Sequence, residues 1–280
     1  VSQAQQDMLV WRNLFARWAV DGKQGFYVES GANHPVILSN TWFFDKCMGW
    51  WGLCVEPNFH YHKALQAERT CTVVPECLSA KPERLPFSFS GVVGHVVSAG
   101  KRVQCNPLSE MLSRVGQTRC VPSCPHTICG QPLAKSGTTR PHASYMHALR
   151  LLHLTRPLMH SSCKLTNAPQ HLASESSVDF WSMDLEGFEA KVINSTDFAT
   201  THVSTLLVED VHQSSNRQLD QQLLMRKGFI KAMQLSGDAL YVHRSAKVCW
   251  PEQWKIGEHF DRDWQLASKY RAGLRKQGKL

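Results

Sequence analysis

The sequence predicts an α/β protein with a mostly parallel sheet, and three observations carry that prediction. The apolar run Phe26-Tyr27-Val28 passes through Glu29-Ser30 into Gly31-Ala32-Asn33-His34. After a spacing of 19 residues, Leu53-Cys54-Val55 ends in Glu56. Val178 to Met183 then runs into Asp184, and a bend carrying Glu186 and Gly187 leads to a helix that opens at Glu189. Each run reads as a strand that delivers acid to its carboxyl end, where sheets of this class bind ligands.

The remaining elements follow in order. The 280 residues, 42% of them hydrophobic, are enough to bury a sizeable core. Residues 1–20 open Gln-rich and continue Met8-Leu9-Val10-Trp11-Arg12-Asn13-Leu14-Phe15, an amphipathic helix expected to cover the sheet rather than lie on a membrane. A helix is expected within residues 35–48, with Trp42, Phe43 and Phe44 as apolar bulk, before the turn Gly49-Trp50-Trp51-Gly52. Residues 60–68 are predicted helical. Cys71-Thr72-Val73-Val74 is the third strand, with Cys77, Leu78 and Ser79 just beyond it. Phe87 and Phe89 alternate within 86–100 as in an irregular strand or hairpin, and 107–115 reads as a short helix.

From Gly116 to Ser177 the period is lost and Cys, His, Pro and Ser collect. An insertion of that length before the fourth strand is expected to be a lid, a substrate-recognition element or partly disordered, with a short helix at 142–154. Residues 203–209 make a fifth strand, 216–227 a helix, and 229–232 and 239–243 an antiparallel sixth and seventh strand. The expected division is a domain over 1–246, containing the insertion at about 116–177, and a basic tail over 247–280 with Trp250, Trp254 and Trp264.

The strand ends point to a nucleoside ligand. Gly31 lets the backbone turn tightly and come close to a ligand with no Cβ in the way. Glu56 is placed to accept hydrogen bonds from two ribose hydroxyls. The full G-x-G-x-x-G is absent, with Asn33 and Pro35 where further glycines would admit a pyrophosphate, and neighbouring acids would repel phosphate. A nicotinamide dehydrogenase is therefore disfavoured. A carboxylate at Glu29 suits an ammonium or sulfonium group, and S-adenosylmethionine has both. Asp184, directly after Trp181 and Met183, is expected to project into the crevice with Glu186, while Glu189 is either a helix-start carboxylate or a pocket wall.

Three blocks carry a resemblance. Phe26 to Pro35 with Ser39-Asn40-Thr41, Gly49 to Asn58, and Asp179 to Glu189 resemble the FkbM family of S-adenosylmethionine-dependent methyltransferases. The resemblance covers residues 24–115 and 178–243. It implies a Rossmann-like, seven-stranded class I methyltransferase sheet with helices on both faces, and methylation of hydroxyl oxygens, commonly on sugars. It also implies that Glu29, Gly31, Ala32 and Asn33 border the methionine part of the cofactor and that Glu56 and Pro57 hold the ribose. Cys77 and Leu78 would then lie near the adenine, with the segment from Asp184 to Glu189 facing the reacting end. The acceptor expected is a sugar or glycan hydroxyl.

Methyl transfer from a sulfonium is a single in-line displacement, so catalysis depends on alignment and on a base that takes the hydroxyl proton. The candidates are His212, which leaves strand five in Val208-Glu209-Asp210-Val211-His212, and the acids Asp184, Glu186 and Glu209; a reaction with no dedicated base is a further option. His34 either borders the reaction centre or makes a loop hydrogen bond. No metal site is expected. A magnesium-dependent variant would use Asp184, Glu186, Glu209 and Asp210. The alternative from another class is a non-catalytic binding or scaffold protein on the same fold.

Ten cysteines call for disulfides, a zinc site or free thiols. Cys105, Cys120, Cys124, Cys129 and Cys163 are the disulfide candidates. Asn194-Ser195-Thr196 is a glycosylation sequon expected on the helix after Asp184. With Val at position 1 and no apolar run of 18 residues, these features favour a Golgi or secretory lumenal domain whose anchor lies outside this chain, with the cytoplasm as the alternative. The net charge of +8 and the basic tail fit anionic partners, and no nucleic-acid motif accompanies them.

Overall fold

In the computed structural model, residues 2, 5–90, 93–115, 176–209, 221–235 and 237–248 are described. The chain opens with α1 (Gln6–Val10), a π-helical turn (Trp11–Phe15) and α2 (Ala16–Val20). There follow β1 (Phe26–Ser30), α3 (Trp42–Lys46), β2 (Trp51–Val55), α4 (Phe59–Glu68) and β3 (Thr72–Val74). Next come β4 (Cys77–Leu78), β5 (Glu83–Ser90), β6 (Val93–Val96), β7 (Lys101–Asn106) and α5 (Leu108–Val115). The last are β8 (Ser176–Met183), α6 (Glu189–Ser195), β9 (Thr201–Glu209), a helical run at 221–226, β10 (Phe229–Leu235) and β11 (Asp238–His243).

Seven strands form one sheet in the order β10-β11-β9-β8-β1-β2-β3. The pairs from β9 through β8, β1 and β2 to β3 are parallel, and β11 runs antiparallel to both β9 and β10. β1 is buried along its whole length, as a strand with neighbours on both sides and cover on both faces must be. Its alternate residues feed two cores. Phe26 and Val28 join Leu53 and Val55 on one face, under Leu108, Met111 and Leu112 of α5 and Val192 and Ile193 of α6. Tyr27 and Cys54 face the other way, toward Val10, Leu14, Phe15, Trp18, Phe44 and Leu65. On that side Phe15, Phe44 and Trp50 meet with centroids 4.7 to 6.1 Å apart. Helical cover on both faces thus follows from the period-2 alternation of the strands.

Several expectations change here. The helix expected over 35–48 shrinks to α3, because Ser39, Asn40 and Thr41 are tied to Glu29 instead of continuing a helical turn. Cys77 and Leu78, just beyond the third strand as expected, form strand β4 of a second, four-stranded sheet of order β4-β7-β5-β6. Cys77 is bonded to Cys105 and Cys54 to Cys71, so the disulfide candidates lacked three of these four cysteines. Cys120, Cys124, Cys129 and Cys163 lie outside the described residues, as do the 142–154 helix, nearly all of the insertion and the tail beyond Val248. Asn194 is exposed on α6. Among the described residues no helix is long and apolar enough to cross a membrane.

Candidate functional site

Because β1, β2 and β8 are parallel and in register, their carboxyl ends coincide: Ser30 pairs with Val55 on one side and Met183 on the other. The chain leaves β1 toward β2 and returns much later to place β8 on the opposite flank, so this edge is a topological switch point, where open α/β sheets bind ligands. Three bends meet there: 31–33, 56–58 and 184–187. Gly31 has φ +77°, and a Cβ on it would lie 2.3 Å from the Asp184 carbonyl oxygen. The close approach that demands glycine is therefore to the neighbouring bend. Asp184 N in turn donates to Ser30 O at 3.1 Å, and Trp181 Nε1 donates to Ser30 Oγ at 2.7 Å.

Glu56 is 5% exposed. Its Oε2 accepts from Asn33 N and its Oε1 from Asn58 N, each at 2.6 Å. Asn58 then caps α4 by accepting from His60 N. Burial raises the Glu56 carboxyl to about 7, against the two amide hydrogen bonds that lower it. The crevice beside it is lined by Gly31, Asn33, Glu56, Pro57 and Asn58, by Cys77 and Leu78, by Phe87, Gly94 and Val96 of the small sheet, and by Asp184, Glu186 and Phe188. Among the described residues no lysine, arginine or histidine lines it. A second hollow shares Gly31, Asn33 and Asp184 and is walled by Ala32, Ile37, Leu38, Asn40, Ser182, Glu209 and Asp238.

Asp184 therefore stands between the two hollows. It is hydrogen-bonded to Glu209, and burial followed by the nearby Glu209 charge pushes its carboxyl well up. Glu209 is itself raised to about 7 by burial, against the Asp184 hydrogen bond that lowers it. Glu189 is not a pocket wall: its Oε1 accepts from Leu185 N at 2.7 Å and Gly187 N at 3.3 Å, fastening the bend. Among the described residues no group of three or more His, Cys, Asp or Glu is arranged to hold a metal ion.

The structure brings Gly31, Asn33, Glu56, Pro57, Cys77, Leu78, Asp184 and Glu186 to the crevice, and Ala32 and Glu209 to the adjoining hollow. It does not bring Glu29 there. That carboxylate is buried and accepts from Ser39 Oγ, Asn40 N and Thr41 Oγ1, and it pairs with Arg69 Nη1 at 3.1 Å. The expectation that it meets a ligand's ammonium fails because Arg69 already supplies the positive charge. His34 accepts at Nδ1 from Val36 N and Ile37 N, the loop hydrogen bond of the two roles considered for it. His212 and Asp210 lie outside the described residues. Arg69, Asp45 and the hairpin wall Phe87, Gly94 and Val96 had no signal of a site role in the sequence.

No protein-family model matches the chain, and no curated protein matches it. A solved structure described as methyltransferase FkbM from Methylobacillus flagellatus KT is similar over 79% of this chain and 44% of that one, at 12% identity and a TM-score of 0.37. This chain thus spans less than half the length of that protein. The fold rests on the strand order above.

Proposed function

We propose that this chain is an S-adenosylmethionine-dependent O-methyltransferase acting on a hydroxyl of a sugar or glycan. The observation that carries the reading is the meeting of Glu56, at the end of β2, and Asp184, at the end of β8, in one crevice at the switch point of the sheet. The antiparallel pairing of β10 with β11, the last two strands, supports that reading.

The residues present fit that cofactor. Each Glu56 oxygen accepts one amide and keeps a lone pair, so the carboxylate can take two hydroxyl donors. Pro57, Cys77 and Leu78 offer an apolar border for a base. The carboxylates Glu56, Asp184 and Glu186 among the described lining residues suit an uncharged nucleoside better than a pyrophosphate. With Glu29 engaged elsewhere, Asp184 and Glu186 are the crevice acids, besides Glu56, placed to face a cationic group. When bound, the cofactor supplies an electrophilic methyl on a sulfonium. The chain's own work is to hold an acceptor hydroxyl in line and remove its proton, for which Asp184 stands at the boundary of the two hollows and its hydrogen-bonded partner Glu209 lines the second. The two disulfides support a secretory-lumen setting.

The test is transfer of labelled methyl from S-adenosylmethionine to a panel of neutral sugars and glycans, with Asp184→Asn beside the wild type. Label in a hydroxyl, lost in the variant, supports the reading. Cofactor binding with no transfer to any acceptor would favour the non-catalytic binding protein.

A further inference from the structure

We propose that Arg69 is a positioning residue for the ligand site, acting through the segment 31–41; the inference rests on the function proposed above. Arg69 touches neither hollow. Its side chain is fully buried, and its fork binds six groups. Nε donates to Asp45 Oδ2 at 2.6 Å. Nη1 donates to Glu29 Oε2 at 3.1 Å, Pro35 O at 3.2 Å and Ser39 Oγ at 3.0 Å. Nη2 donates to Tyr27 OH at 3.2 Å and Thr41 Oγ1 at 2.6 Å.

Two of these groups belong to the central strand β1, and Asp45 belongs to α3. The remaining three lie in the segment that leads from β1 to α3. That segment supplies Gly31, Ala32, Asn33, Ile37, Leu38 and Asn40 to the walls of the two hollows. It has little regular structure to hold it, and Asn33 and Leu38 adopt positive φ of 48° and 68°, which persist only where the surroundings enforce them. The enforcement is visible at Asn40: its amide donates to Glu29 Oε1 at 2.8 Å, and its Nδ2 reaches Ser182 Oγ at 3.0 Å across the second hollow. Arg69 is itself fixed, since its amide closes the end of α4 on Leu65 O and the Cys54–Cys71 disulfide lies two residues on. A planar guanidinium spans these partners, whereas a lysine ammonium is a single point and cannot.

The experiment compares Arg69→Lys, Glu29→Gln and Thr70→Ala with the wild type by hydrogen exchange and by calorimetric titration with S-adenosylhomocysteine. Thr70 Oγ1 donates to Asp45 Oδ1, and its hydrogen bonds go to Asp45 and not to 31–41, so its variant is the control. The expected result for Arg69→Lys is exchange over 31–41 faster by about tenfold, affinity lower by about tenfold, and exchange over 176–183 and 201–209 unchanged, with Thr70→Ala altering neither. Unchanged exchange over 31–41 would overturn the proposal. So would loosening spread across the whole sheet, or a loosened segment with unaltered affinity. Glu29→Gln keeps the Arg69–Asp45 pair and carries the same comparison if Arg69→Lys does not fold. Should the wild type itself not bind the probe, the proposed function fails, and the exchange comparison alone still decides whether Arg69 anchors the segment.

Discussion

At Glu56, burial and function are linked through one proton. The carboxyl is raised to about 7, so near neutral pH it is divided between a neutral form and an ionised form that can accept two ribose hydroxyls. Affinity for S-adenosylhomocysteine should therefore rise by about tenfold from pH 6 to pH 8, and Glu56→Gln should flatten that profile in a calorimetric pH series. Gly31 is constrained from two directions, by its φ of +77° and by the Asp184 carbonyl where a Cβ would sit. Gly31→Ala should cost about 2 kcal/mol or more in urea denaturation, which measures strain at this junction of β1 and β8. Glu56 and Asp184 were legible in the sequence because each directly follows an apolar strand, and strand direction then dictates the edge. Glu29 has the same local pattern and a different fate. What decides it is Arg69, separated by 40 residues, and no local spacing announces that pairing.

The elements differ in the same way. β1, β2, β8, β9 and β11 each carry a short apolar run, so their existence and order along the chain could be read directly. The small sheet could not. Phe87 and Phe89 gave the hairpin, but β4 and β7 pair through Cys77 and Cys105, and a two-residue strand leaves no periodic signal. This sheet matters because Phe87, Gly94 and Val96 wall the crevice and Cys77 belongs to its lining. Replacing the Cys77 and Cys105 pair, or the Cys54 and Cys71 pair, by alanine should cost about 2–4 kcal/mol each in denaturation. The Cys77 and Cys105 replacement should in addition weaken S-adenosylhomocysteine binding, since it frees a crevice wall; equal affinity would show that wall to be dispensable.

For the whole molecule, the raised acids set a pH dependence of stability. Glu56 and Glu209, at about 7, and Asp184, pushed well up, all bind protons more tightly folded than unfolded. Stability contributed by their protonated forms is present below the unfolded carboxyl range and is lost as pH rises through about 7. Glu76, held low by Arg114, acts in the opposite sense, but its contribution is complete well below neutrality. The ligand-free chain should therefore melt at a lower temperature at pH 8 than at pH 6.5, as scanning calorimetry would read. The seven-stranded order places these acids along one edge, the edge proposed above to bind S-adenosylmethionine. Calorimetric titration of the purified chain with S-adenosylhomocysteine, beside Glu56→Ala, tests it most directly. Binding of about micromolar affinity that the substitution abolishes is the expected result. A folded wild-type chain that takes up no ligand, or a Glu56→Ala variant that binds equally well, would contradict it.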